Sequence, residues 1–150
     1  MKAEPRYWIT VVSKDHLARG VAGGFMQANH GKEGPLKRLE EGDWVVFYSP
    51  RVSYGGKEPL QAFTAIGRVC DGNIYQHKMT EDFTPYRRNV EFYQAEETPI
   101  APLINDLDFI ENKKAWGFKF RFGFFGIGGQ DFELIRSAMI KGKLTPTIKL

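Results

Sequence analysis

The chain opens on a short β-branched and aromatic run, residues 7–12 (YWITVV), which predicts a first strand. Ser13 stands where a helix N-cap would, and Lys14, Asp15 and His16 open a short helix that Gly20, Gly23 and Gly24 are expected to stop early. Residues 25–36 (FMQANHGKEGPL) keep no period and carry two glycines and a proline, so they predict a loop of the kind that carries function. One or two helical turns follow over 35–41, with Leu36 and Leu39 three positions apart. Residues 44–49 alternate cleanly: Trp44, Val46 and Tyr48 face one way, and Val45, Phe47 and Ser49 the other. Both faces carry bulk, as in a strand of a closed barrel.

After a turn or flexible loop at 50–59, residues 61–70 predict a long strand in which Gly67 marks a bulge or the close approach of another backbone. Asp71-Gly72 predicts a hairpin returning through 74–79. Residues 83–88 (FTPYRR) lead into a strand at 89–95, and Pro99 and Pro102 introduce a short helix near 103–107. Phe118, Phe120, Phe122 and Phe124 recur at period two against Lys119 and Arg121, which predicts a half-buried strand with its rings in the core. Phe132, Leu134, Ile135, Ala138 and Met139 fall on one helical stripe within 130–141. The tail from about residue 142 is expected to be loosely held. Five or six strands, with few helices placed for parallel crossovers, predict one α+β domain over residues 1–150: a small barrel with short flanking helices.

Composition adds one unusual feature, an aromatic content of 14% that exceeds what a small core needs, so some rings are available to line a cavity. The net charge of +3 favours an anionic partner only in a general way. A single cysteine, Cys70, excludes an internal disulfide and suits a reducing compartment. The start of the chain lacks an apolar signal core and no stretch is long enough to span a bilayer, so a cytoplasmic protein without membrane contact is expected. Nothing points to an oligomer, and a monomer is favoured.

Catalytic and metal chemistry find few residues. His16, His30, His77 and Cys70 have no paired ligand spacing, so neither a metal nor another cofactor is expected. The stretch from Gly24 to Glu33 has six residues between Gly24 and Gly31 where a phosphate loop wants four, and Glu33 where a hydroxyl should be. Cys70 sits mid-strand with no base beside it, and no carboxylates pair as acid and base. The remaining pattern is of rings interleaved with donors, as base recognition requires. Trp44, Tyr48, Phe83 and Trp116 are ring candidates, and Ser13, Gln27, His30 and Ser49 are candidates for reading a base edge. Lys14, Lys32, Arg51, Arg87 and Arg88 are candidates for phosphate. Each has a plainer reading beside it. A two-sided strand places Trp44 and Tyr48 in the core more often than in a cage wall, Ser13 is an N-cap, and only one of Arg87 and Arg88 can face a shared groove.

The segments Tyr7-Trp8-Ile9 with Ser13 and His16, GGFMQANHGKEGPLKRLEEGDWVVFYSP, FTAIGRV, DFTPYRRNVEF, PLINDLDFI with Trp116-Gly117, and FRFGFF leading into DFELI resemble the EVE domain family in order over residues 7 to about 140. The resemblance implies a PUA-like barrel, akin to YTH and ASCH domains, and a non-catalytic reader of a modified nucleobase in DNA or RNA. Carried over by position, it implies a pocket of Ser13, His16, Gln27, His30, Lys32, Tyr48, Ser49 and Trp116, with Arg87 and Arg88 at the rim. Two alternatives stay open: an RNA-cleaving or hydrolytic enzyme of the ASCH-like kind using His16, His30 and Lys32, and a nucleotide or small-molecule sensor using the same pocket.

Overall fold

A computed structural model describes residues 4–148; residues 1–3 and the last two of the tail lie outside the described residues. Seven strands form one mixed sheet: β1 (Tyr7–Val11), β2 (Phe25–Met26), β3 (Trp44–Arg51), β4 (Pro59–Gln76), β5 (Tyr86–Phe92), β6 (Thr98–Pro99) and β7 (Phe124–Ile127). Three α-helices accompany them: α1 (Lys14–Gly23), α2 (Glu33–Lys37) and α3 (Gly129–Met139). The strand order is β2-β5-β4-β3-β1-β7, with β6 added to β4. Only β1 and β3 run parallel, in the register Tyr7↔Trp44 to Val11↔Tyr48. A parallel pair needs a crossover, and α1, β2 and α2 supply it.

The fold is therefore α+β, but the pairings leave an open strip and not the closed barrel ladder expected. The alternation of β3 is as predicted, though its cause differs. Trp44, Val46 and Tyr48 enter one core, completed by Phe132, Ile135 and Met139 of α3. Val45 and Phe47 enter a second core on the other face, completed by Leu17 of α1 and Leu36 of α2. Helices packed on each side, without closure of the sheet, are enough to bury both faces of a strand.

Four local expectations are corrected. First, α1 continues through Gly20 to Gly23 and ends at Gly24, whose φ of 74° makes a left-handed cap. Gly20 is inside the helix because a Cβ there would lie 2.5 Å from the Phe25 carbonyl oxygen. Second, α2 covers Glu33–Lys37 and so starts and stops earlier than the spacing of Leu36 and Leu39 suggests. Third, Asp71-Gly72 makes no hairpin. It is a bulge within one strand, since Val69 pairs with Val90 and Ile74 with Arg88 across β5. The bulge is held from the side: Asn89 Nδ2 donates to Asp71 Oδ2 at 2.8 Å and Arg88 Nη2 to the Asp71 carbonyl at 3.0 Å. Partners on β5 thus outweigh the local turn signal.

Fourth, Phe118–Phe122 is a 3-10 helix, so its rings do not share one face. Phe120 is buried and Phe124 starts β7 in the core, whereas Phe118 and Phe122 are each 59% exposed. Gly123, at φ 75°, ends the turn and donates its N–H to the Phe120 carbonyl. Elsewhere the sequence reading stands closer to the structure. Gly67 is the close approach expected, because a Cβ would meet Val90 Cγ1 at 2.5 Å. The short helix after Pro99 is a 3-10 helix over Ala101–Asp106, and α3 follows its predicted stripe. Beyond it, Gln94 N–H donates to the Thr145 carbonyl and Thr147 N–H to the Phe92 carbonyl, beside the end of β5.

Candidate functional site

Where β1 ends and α1 begins, Ser13 occupies the N-cap position with extended backbone, and its carbonyl accepts the Leu17 N–H. Its hydroxyl does not cap the helix. It donates instead to Asp15 Oδ1 at 2.5 Å. The same carboxylate accepts the N–H groups of His16 at 2.8 Å and Tyr54 at 3.1 Å. These bonds, the Ser13 hydroxyl foremost, together with the nearby His16, hold the Asp15 carboxyl below its ordinary range against some desolvation. Asp15 thereby fastens the β3–β4 loop over the start of α1, reinforced by the Asp15 N–H donating to the Val52 carbonyl at 3.0 Å.

The fastened loop carries Tyr54, 63% exposed, onto two imidazoles. His16 stacks on it at 4.9 Å with 17° between the planes, and His30 meets it edge-on at 6.2 Å and 72°. His30 reaches this place through a strained turn, since Asn29, His30 and Gly31 have φ of 44°, 63° and 81°. Side chains other than glycine adopt such angles only where their surroundings over-determine them. Here Gly31 and Lys32 both donate N–H groups to the Ala28 carbonyl, and Tyr86 N–H donates to the Gly31 carbonyl. Gly31 also lies so close to Pro85 that a Cβ would stand 2.4 Å from the proline Cβ. Asn29 in turn fills the space above Gly123, where a Cβ would lie 2.1 Å from Asn29 Oδ1.

The structure thus brings Ser13, His16 and His30 together around two residues that the sequence did not single out, Asp15 and Tyr54. Nothing in a Gly-rich loop distinguishes Tyr54 until the loop folds back on α1. Lys14, Lys32 and Arg51 are exposed on the same elements. Lys14 pairs with Glu97 at 2.8 Å, and Arg51 donates to the Lys57 carbonyl at 3.1 Å. Gln27 and Arg87 form a separate unit. Gln27 Oε1 accepts from Arg87 Nε at 2.9 Å, and the guanidinium lies 3.7 Å from the centre of the Phe25 ring. Phe83, 38% exposed, packs beside Gly31.

Four candidates are internal. Trp44 packs in the core against Tyr93 and Phe132 and under the Arg68 guanidinium. Arg88, 4% exposed, donates to the carbonyls of Leu36 and Leu39 at the end of α2, so it closes the helix and does not face phosphate. Ser49 is buried with its hydroxyl 2.7 Å from that of Thr64. Tyr48 is buried and stacked on Phe120 at 4.1 Å, and desolvation pushes its phenol well above the ordinary range. Trp116, half-buried, meets the same Phe120 edge-on at 6.3 Å. Phe120 therefore fills the space between Tyr48 and Trp116, and the three named rings Trp44, Tyr48 and Trp116 do not frame a slot.

Other chemistry is sparse among the described residues. No three His, Cys, Asp or Glu side chains converge as metal ligands, and no helix is long and apolar enough to cross a membrane. Desolvation and the charge of Asp71 push the Cys70 thiol up, which keeps it protonated and weakly nucleophilic. An open depression of about 280 Å³ lies away from the ring cluster, between Asp108, Lys119 and the start of α3. Asp131 there is engaged structurally, its carboxylate accepting the N–H groups of Asp108 and Phe109, each at 2.8 Å.

These features define a small α+β protein with an exposed cluster of one phenol and two imidazoles at the start of α1. A family model described as EVE domain matches residues 6–138, and the chain belongs to that family. It is 57% identical over 140 residues to a UPF0310 protein of Mycolicibacterium vanbaalenii, covering 93% of this chain and 94% of that one. It is also 44% identical over 133 residues to the UPF0310 protein YdcG of Bacillus subtilis, covering 89% and 91%. Among solved structures, a hypothetical protein from Leishmania major has the same fold, with a TM-score of 0.55 at 14% identity over 89% of this chain and 94% of that one.

Proposed function

We propose that this chain binds nucleic acid without catalysis and receives a modified nucleobase at the cluster of His16, Tyr54 and His30. The observation that carries the reading is Tyr54 itself: a phenol with one face on His16, much of its surface in solvent, and a second imidazole in T-shaped contact with it. A planar base gains by stacking on such a ring, and donors at its edge read its substituents. His30 supplies an edge donor and the Ser13 hydroxyl oxygen, whose hydrogen is held by Asp15, an acceptor, while Lys32, Arg51 and Lys14 supply charge for flanking phosphates. The base has to be extruded or already unpaired to present its face. The PUA-like barrel belongs to this proposal too. What supports it is that the Asn29 side chain, just after β2, sits against the Gly123 backbone, just before β7, where the two ends of the open strip approach each other. A cytoplasmic location fits the reading, since nucleic acid is at hand there.

A panel of oligonucleotides differing in one base modification, titrated at several salt concentrations, tests it. Tighter binding of one modified strand, lost in Tyr54→Ala, is expected. Equal affinity for every strand at each salt concentration refutes the reader. The two imidazoles flanking one phenol also favour a second reading, RNA cleavage by acid–base chemistry. RNA breakdown that disappears in His30→Ala would establish it in place of the first.

A further inference from the structure

Phe118 and Phe122 are the most exposed phenylalanines among the described residues. Both stand 59% exposed on one 3-10 turn, edge-to-face at 5.9 Å, where a monomer normally hides such rings. The Arg121 guanidinium lies 5.7 Å from the centre of the Phe118 ring, and Lys119 lies over Phe125 at 5.6 Å. Lys114 stands just ahead on the preceding 3-10 turn, exposed. No acidic residue occurs between Lys113 and Arg121, and none of Lys114, Lys119 and Arg121 enters an ion pair among the described residues. The ridge ends at Gly123, which receives the side chain of Asn29, the chain neighbour of His30.

We propose that Phe118 and Phe122 form a stacking platform for single-stranded nucleic acid, with Arg121, Lys119 and Lys114 neutralising its phosphates. The inference rests on the nucleic-acid reading above and names the form of the strand. Two features select the occupant. Unpaired cations beside exposed rings complement a phosphodiester chain carrying bases. A phenyl face finds a free base face only where bases are unpaired, extruded or terminal, since bases inside a duplex are already stacked on both sides. The platform therefore grips an unpaired strand whatever its sequence.

Fluorescence anisotropy with short labelled DNA and RNA strands, their duplexes, and a modified strand tests the platform. The Phe118→Ala/Phe122→Ala double variant is expected to bind single strands more weakly by on the order of tenfold or more. Its duplex affinity and its ratio of modified to unmodified binding stay unchanged. Arg121→Gln is expected to lower the salt slope for single strands by about 0.7. Tyr54→Ala removes only the preference for the modified strand. If the wild-type chain shows no such preference but the double variant still loses single-strand binding, the base reader fails and the platform stands. Equal binding by the double variant and the wild type, or no preference of the wild type for single strands over duplex, overturns the platform. So does a wild-type dimer that the double variant loses, which would make the ridge a self-association face. Binding to anionic lipid vesicles but not to oligonucleotides overturns it as well. Native circular dichroism and a urea midpoint above that of Phe120→Ala confirm that the double variant is folded under the conditions of the titrations.

Discussion

Replacing each of Phe118, Phe120, Phe122 and Phe124 by alanine distinguishes the observed 3-10 turn from the strand that their spacing predicts. In a half-buried strand, period two puts all four rings on one face, and the four substitutions cost alike. In the structure Phe120 is 8% exposed and its ring meets Tyr48, Phe109, Phe125 and Trp116. Truncating a buried phenylalanine costs about 3–5 kcal/mol, and aromatic pairs of this kind add about 0.5–1.5 kcal/mol beyond area alone. Phe120→Ala is therefore expected near the top of that range. Phe124, 4% exposed and stacked on Trp8 at 5.0 Å, belongs in the same range. Phe118 and Phe122 keep 59% of their surface in water, so their loss removes less than half of the burial of a core ring and should cost under about 1 kcal/mol. Urea unfolding followed by tryptophan fluorescence measures all four at constant m-value. Four costs within about 1 kcal/mol of one another, or a cost for Phe120→Ala below about 1.5 kcal/mol, would refute the assignment of core and surface made here.

Two further outcomes follow from single carboxylates. Asp43, 2% exposed, accepts from Arg6 N–H, Trp8 Nε1 and Glu40 N–H, all at 3.0 Å, so both of its oxygens are occupied by donors. Asp43→Ala leaves these donors without an acceptor and is expected to cost about 3–5 kcal/mol in urea unfolding; Asp43→Asn, whose amide turns a donor toward one donor set, should cost about 1–3 kcal/mol. An alanine variant within 1 kcal/mol of wild type, as a rough threshold, would remove Asp43 from the account of how β1 and β3 are joined. Asp15 contributes a pH-dependent part of the stability. Its folded carboxyl titrates below its ordinary value of 3.8, so its stabilisation is present above that value and is lost as pH falls through the lower folded value. The urea midpoints of wild type and Asp15→Asn should therefore differ at pH well above 3.8 and converge in stronger acid. A constant gap across that window contradicts the tie between Asp15, Ser13 and the Tyr54 loop.

Most of the strands are legible in the chain because their patterns are local. The bulk on both faces of β3, the crowding at Gly67 and the stripe of α3 each follow from side-chain period and size. The errors share a cause. Asp71-Gly72 carries a strong turn signal, yet Arg88 and Asn89 of β5 hold it as a bulge. The phenylalanines at 118–124 have a strand's period, yet bracketing Gly117 and Gly123 and the demand of the core for Phe120 wind them into a 3-10 turn.

The same division runs through the site. Residue type made Ser13, His30 and Lys32 candidates, the family resemblance added His16, and their neighbourhood on α1 and the glycine loop was readable from order in the chain. Burial separated the rest: Trp44, Ser49 and Arg88 have the chemistry of a site but point into the core. Only tertiary contacts made a cluster of the remainder, by folding a loop from beyond β3 onto α1 through Asp15 and setting Tyr54 between two imidazoles. Side-chain pattern along a strand or helix records which face is buried, so the sequence by itself determined most of the elements and the family of this protein. Which exposed groups meet depends on hydrogen bonds between residues far apart in the chain, and that only the tertiary structure decided.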